Sequence, residues 1–199
     1  MGVRGPVTEL QRHDLQRIQR SQEQLLSLIN DVLNFAKIEA GRVEIDTRAI
    51  DVRTALDTLE PLLSPQLAAK KITLQSVDRA TNVKVLADED KLRQVMLNLL
   101  SNAVKFTPEG GQIFLSCEHD DRQVRLEVRD TGIGIPPQHL GRIFDPFVQL
   151  ERRLTNVVSG TGLGLTISRD LARAMGGDVM VESVPGGGST FTVSLRRAK

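Results

Sequence analysis

The sequence predicts an α+β protein, a two-layer α/β sandwich with a mixed, mostly antiparallel sheet, helices on one face, and one long helix ahead of it. Three observations lead there. Residues 8–40 repeat apolar side chains at alternating steps of three and four, the pattern of a helical seam. Two later pairs of stretches, "QIFLSCEH" with "QVRLEVRD" and "DVMVESV" with "STFTVSLR", alternate apolar and polar around short turn signals and predict hairpins. Helical stretches fall between strands without strict β-α-β order, which disfavours a doubly wound parallel sheet.

In chain order, the first helix carries its seam on Leu15, Ile18, Gln22, Leu25, Ile29, Val32 and Ala36, and Gly41 is its C-terminal stop. Leu26, Leu28, Leu33 and Phe35 lie off that seam, so the helix needs apolar partners on two sides. "RVEIDTRAID" reads as a strand and "VRTALDTLEPLLSPQLAAKK" as one helical stretch with a proline in its middle. "ITLQSV" and "VKVLAD" follow as strands. Asp88 is a natural N-cap for a helix running to Phe106, where Pro108 and Gly110-Gly111 end it. After the first hairpin comes a glycine-rich region from Gly132 to Gly164, then a helix to about Met175 and the last hairpin around "PGGG".

Composition narrows the function classes. Across 199 residues the formal net charge is +1, which offers no broad basic field for nucleic acid, and aromatics at 3% leave no platform for stacking bases. No apolar run reaches the roughly 18 residues that cross a bilayer, and no signal-peptide core is present, so a cytoplasmic location and no membrane insertion are expected. The lone Cys117 excludes an internal disulfide and is expected to be a buried strand residue. No His, Cys and Asp set has the spacing of a zinc site.

Three stretches bear chemistry. In "NLLSNAVKFT", at about 100° per residue and with Asn98 as zero, Asn102 falls near 40° and Lys105 near 340°. The apolar residues Leu92, Val95, Met96, Leu97, Leu99, Leu100, Ala103 and Val104 take the other side of the helix. A solvated face would carry Glu, Lys, Gln and Arg, whereas this stripe offers amide oxygens and one ammonium, suited to a hydrated Mg²⁺ and phosphate. Taken alone, two asparagines falling by chance on a surface face is the better reading of the stripe. In "RDTGIGIPP", Asp130 closes a strand and could accept an exocyclic amine, with glycines beyond it for a close turn, although a plain strand-to-loop turn has the same letters. In "SGTGLGLTISRDLARAMGG", Gly160, Gly162 and Gly164 open a helix and leave amides free for phosphate, in a spacing that fits neither the Walker nor the dinucleotide pattern. Between them, "GRIFDPFVQLERRLTNVVS" sets Phe144 and Phe147 before a polar segment, the composition of a hinge and lid or of a pinned surface loop.

In this order the four segments resemble the catalytic and ATP-binding domain of sensor histidine kinases, in the superfamily shared with gyrase, mismatch-repair ATPases and heat-shock chaperones. The asparagine box is "NLLSNAVKFT", the first glycine box "DTGIGI", the phenylalanine box "IFDPF" and the second glycine box "GTGLGL". The resemblance covers roughly residues 43–197, and "LLSLINDVLNFAKIEAGRVEI" is similar to the end of the family's second dimerisation helix. It implies that residues 1–41 are that helix and residues 42–199 the catalytic domain. It implies ATP and Mg²⁺ as cofactors, with Asn102 ligating the metal, Lys105 on phosphate, Asn98 supporting both, and these three as the catalytic set. Asp130 would accept the adenine amine, with Gly132, Gly134 and Ile135 shaping its pocket. Phe147, Gly160, Thr161, Gly162, Leu163 and Gly164 would form the lid end and phosphate cradle. In the ATP-hydrolysing relatives a glutamate stands where Asn98 is, and an amide cannot serve as a general base, which favours transfer to a side chain over hydrolysis.

The chain also departs from the family. Of His13, His119 and His139, only His13 begins like the phosphoacceptor box, in "RHDLQRIQ", and it lacks the Thr-Pro that should follow. The expectation is therefore a truncated piece that binds Mg-ATP but does not phosphorylate itself. Its expected partners are ATP, the histidine-bearing dimerisation domain of its parent and a response-regulator receiver domain. A homodimer through residues 10–38, or that helix folded back on the domain, would cover the seam. A non-catalytic association module and a hydrolytic ATPase are the alternatives.

Overall fold

In the computed structural model of the chain, residue 5 and residues 7–77, 83–149 and 161–198 are described. The first helix, α1, spans Glu9–Glu39. Thr8 caps it with a reciprocal pair of bonds: its hydroxyl accepts from the Gln11 amide at 3.2 Å, and the Gln11 side chain accepts from the Thr8 amide at 2.9 Å. Gly41, at φ +64, turns the chain out of the helix. Its amide reaches Ile38 O at 2.8 Å and that of Arg42 reaches Lys37 O at 2.9 Å, so the glycine stop read from sequence is a Schellman turn.

Only the end of "RVEIDTRAID" is a strand, β1 (Arg48–Asp51). The helical stretch expected next is two helices, α2 (Val52–Asp57) and α3 (Glu60–Ala69). The break falls just before Pro61, which lacks an amide to continue the first helix but suits the first turn of the second. Strand β2 (Thr73–Val77) and strand β3 (Lys84–Ala87) precede α4 (Glu89–Phe106). Then come β4 (Gln112–His119), β5 (Gln123–Asp130), the short α5 (Pro137–Leu140), α6 (Gly164–Ala174), β6 (Asp178–Val184) and β7 (Gly188–Arg196).

The main sheet runs β2-β4-β5-β7-β6, antiparallel except for the parallel β2–β4 pair. Strands β1 and β3 pair separately as a two-stranded antiparallel ribbon, which alternation alone did not foretell. One face of the main sheet, with Ile113, Leu115, Cys117, Leu126, Val128 and Val193, joins one apolar core with α4 and α6. The other face carries Ser116, Glu127, Thr192 and Ser194, only half-buried. The buried face of α4 is the one counted from sequence, Leu97 alone being half-buried.

The apolar surface of α1 divides, but its seam does not. Phe35, off the seam, and Ile38 pack on the domain core, whereas every seam residue, Leu15, Ile18, Gln22, Leu25, Ile29, Val32 and Ala36, stays exposed. The C-terminal end of the helix does fold back on the domain, but through residues off the seam, and the whole seam is uncovered in the single chain.

Asp88 anchors the start of α4. One carboxylate oxygen accepts from the Lys91 amide at 3.1 Å and the other from the Asp46 amide at 3.1 Å, tying the chain between α1 and β1 to the helix. Burial is the largest influence on its pKa and pushes it up, but these amides and the Lys91 charge together bring it below the usual carboxylate value. A depressed carboxylate contributes stability above its unfolded pKa and loses it as pH falls through the folded one. Asp88→Ala should thus cost about 0.5–2 kcal/mol at neutral pH. The Tm difference from wild type, followed by circular dichroism, should close as pH drops below about 4.

Candidate functional site

Three pieces of backbone meet where α4 leaves the core. The first wall is the polar stripe of α4. Asn98, Asn102 and Lys105 are each half-buried along it. The Asn98 amide donates to Ser168 Oγ on α6 at 2.7 Å, and Ser168 is 1% exposed. A Cβ on Gly164 would lie 2.4 Å from Asn98 Oδ1, so a larger residue there would have to displace the Asn98 side chain. Asn102, one turn on, makes no side-chain hydrogen bond among the described residues. Burial lowers the pKa of the Lys105 ammonium, which lies 5.1 Å from the centre of the Phe106 ring.

The second wall is the loop after β5. Asp130 is 5% exposed, and its carboxylate accepts from the Gly132 amide at 2.8 Å. Burial raises its pKa, opposed by the amides of Gly132 and Ser189. A Cβ on Gly132 would sit 2.6 Å from Asp130 Oδ1 and 2.7 Å from Phe106 O, so the loop lies directly on the end of α4. The Ile133 amide donates to Phe106 O at 3.3 Å and closes that joint. On its far side the loop is tied to the last hairpin: the Ile135 amide donates to Ser183 Oγ, which donates to Gly188 O, both at 2.8 Å.

The third piece is the approach to α6. Phe147 holds φ +64, a region that costs a non-glycine residue free energy. Its amide donates to Gly162 O at 3.0 Å, and a Cβ on Gly162 would overlap the Phe147 backbone at 2.8 Å. Leu163 is fully buried, and its amide donates to Thr161 Oγ1 at 3.0 Å. The same hydroxyl donates to Asp31 on α1 at 2.9 Å, and the Phe35 ring meets Phe147 edge-on at 6.1 Å. The preceding hinge is clamped too: Thr166 Oγ1 donates to Phe144 O at 2.8 Å, and the Arg169 guanidinium lies 4.6 Å from that ring. Gly160 and most of the polar segment read as a lid fall outside the described residues.

The structure thus joins Asn98 to Gly164 and Ser168 of α6, Gly132 to the end of α4, and Phe147 to Gly162, with Asn102 and Lys105 on the stretch of α4 between the first two contacts, while Gly134 and Ile135 face the last hairpin more than the helix. Sequence reasoning passed over Ser168, Ser183 and Asp31. Only Ser168 left a trace, as a serine on the apolar face of an amphipathic helix.

The walls differ in what they can hold. The buried Asp130 carboxylate is an acceptor for a donor group on a flat ligand. Helix α6 starts with no side-chain cap hydrogen bond, which suits its first amides to an anion. Among the described residues no cluster of three or more His, Cys, Asp or Glu could hold a metal. A cation here would therefore rely on Asn102, water and oxygens of the ligand itself, a donor set that fits Mg²⁺.

Comparison with known proteins converges on the same segments. Residues 87–199 match the family model described as "Histidine kinase-, DNA gyrase B-, and HSP90-like ATPase", and residues 2–41 that of the "His Kinase A (phospho-acceptor) domain". The chain is 40% identical over 198 residues to the sensor histidine kinase GacS of Pseudomonas protegens, covering 97% of this chain and 22% of that protein. It is likewise 40% identical over 191 residues to the circadian input-output histidine kinase CikA of Synechococcus elongatus, covering 95% of this chain and 25% of that one. Among solved structures, full-length ShkA in complex with AMPPNP superimposes with a TM-score of 0.84 at 37% identity, over 98% of this chain and 40% of that one. The chain thus spans about a quarter or less of these two kinases.

Asp130 gives a stability test. Because its folded pKa is raised, ionised Asp130 costs stability above that pKa and costs nothing below the unfolded value. Asp130→Asn should melt above wild type at pH 7, and the gap should vanish as pH approaches about 4.

Proposed function

The chain belongs to the histidine kinase-, DNA gyrase B- and HSP90-like ATPase family, and we propose that it is the Mg-ATP-binding catalytic part of a sensor histidine kinase. The observation that carries this reading is the meeting of a buried acceptor carboxylate, an amide-and-ammonium helix face and an uncapped helix start at one place. Asp130 accepts the exocyclic amine of adenine, with Gly132, Gly134 and Ile135 shaping the pocket. Lys105 and the turn from Gly160 to Gly164 hold the phosphates, and Phe147 borders the opening. The resemblance to a kinase solved with AMPPNP supports the same ligand class. Residues 1–41 are read as a dimerisation helix and residues 42–199 as the catalytic domain.

Asn102 is the protein ligand of Mg²⁺. The metal supplies charge neutralisation at the phosphate oxygens. The remaining work of the chain is positioning. Lys105 draws the phosphates to α4, Asp130 fixes the base at the other end, and Asn98 holds α6 against α4. Asn98 spends its amide on Ser168 and has no basic group with which to activate water, which favours transfer to a protein histidine over hydrolysis.

The acceptor is a histidine other than the three in this chain. His13 lies 18 residues before Asp31 on the same helix, roughly 27 Å at 1.5 Å per residue. His119 is exposed at the end of β4, and His139 is half-buried in α5. A histidine-bearing dimerisation domain and a receiver domain are the partners this reading assigns, with the exposed seam of α1 as the dimer contact.

Calorimetric titration with Mg-ATP should saturate wild type, and Asn102→Ala and Asp130→Ala should each bind at least about tenfold more weakly, the loss of one charged or metal contact. No heat with wild type would contradict the reading. In a steady-state assay phosphate release should stay near background. Stable radiolabel on His13 after incubation with γ-labelled ATP would show the acceptor assignment to be wrong.

A further inference from the structure

The last turn of α4 carries Lys105, and a helix end leaves its final carbonyls without intrahelical donors. Here each of them is accounted for. Ala103 O accepts from the Thr107 amide at 3.0 Å and Phe106 O from the Ile133 amide at 3.3 Å. Val104 O and Lys105 O both accept from one group, the ammonium of Lys70, each at 2.8 Å. The same ammonium also reaches Thr107 O, just past the helix, at 3.1 Å. Three carbonyls thus surround a half-buried side chain from the far end of α3, more than thirty residues away in sequence.

We propose that Lys70 is a positioning residue for phosphate binding, a lysine C-cap that fixes the turn of α4 from which Lys105 reaches the nucleotide. It rests on the ATP reading of this site. A cation at a helix C-terminus meets the negative end of the dipole, and its three N–H donors suit three carbonyls. Without it, the Val104 and Lys105 carbonyls would lose the donor that ties them to α3, and the turn would fray. Fraying would move Lys105, the residue that turn carries.

Removing the ammonium should leave the fold in place, because the same two loops are joined independently by backbone. The Gly110 amide donates to Lys70 O at 2.9 Å, and the Thr73 amide donates to Gly111 O at 3.1 Å. Lys71 and Glu109 add an exposed ion pair alongside.

The experiment is a double-mutant cycle on the full chain, read as Mg-ATP affinity by calorimetry, with Lys70→Met and Lys105→Ala singly and together. Lys70→Met should weaken binding about tenfold, the weight of one charge-assisted hydrogen bond. On the Lys105→Ala background the same substitution should cost less than about twofold, since the residue it positions is gone. Equal losses on both backgrounds would mean that Lys70 only supports the fold, and no loss on the wild-type background would mean that it does nothing for the site. Either result overturns the proposal. Lys70→Gln, which keeps two N–H donors without the charge, repeats the cycle if the methionine variant does not fold. If wild type itself fails to bind Mg-ATP, the function reading falls and this proposal falls with it. Binding by wild type with an unaffected Lys70→Met sinks this proposal alone.

Discussion

The distance between α4 and α6 is set by one amide and one absent methyl group. Asn98 donates to the buried hydroxyl of Ser168, and its oxygen occupies the space a Cβ on Gly164 would need. The two helices therefore meet at the site rather than merely lying side by side on the sheet. Close to that contact lie the start of α6 without a side-chain cap, the buried Leu163, and Gly162 pressed against Phe147. A side chain larger than hydrogen at Gly164 would have to displace the Asn98 amide and with it the bond to Ser168.

A second set of contacts makes the loop after β5 part of the same rigid body. Its glycine lies on the end of α4, its leading amide bonds to Phe106 O, and its trailing amide bonds to Ser183 on the last hairpin. Asp130 can be held buried at a cost in its own ionisation because the amides of Gly132 and Ser189 remain pointed at it. The long first helix reaches the site as well, through Asp31 on Thr161 and Phe35 on Phe147, so whatever α1 does is felt at the approach to α6.

Much of this was legible in the sequence where the signal is local. The seam of α1, its Gly41 stop, the Asp88 cap, the buried face of α4 and both hairpins follow from periodicity and turn chemistry within a few residues. The "RVEIDTRAID" stretch came out shorter because the β1–β3 pairing that bounds it is long-range, and the helix after it came out as two because Pro61 has no amide to continue the first. The grouping of the boxes was visible only as order along the chain. The bonds that join them span 48, 70 and 130 residues in sequence, for Ile135 with Ser183, Asn98 with Ser168, and Thr161 with Asp31. A serine or an aspartate carries no mark of such a partner. Phe147 is the sharpest case, since nothing in a phenylalanine announces a left-handed backbone, nor that Gly162 lies against it.

The central claim is that the buried carboxylate and the amide stripe belong to one ligand, base at one end and phosphates at the other. A crystal structure of the chain with Mg²⁺ and a non-hydrolysable ATP analogue tests it most directly. The account predicts the adenine amine within hydrogen-bonding distance of Asp130 and the Asn102 oxygen at about 2.1 Å from the metal. A nucleotide bound away from α4, or a base that bypasses Asp130, would contradict it.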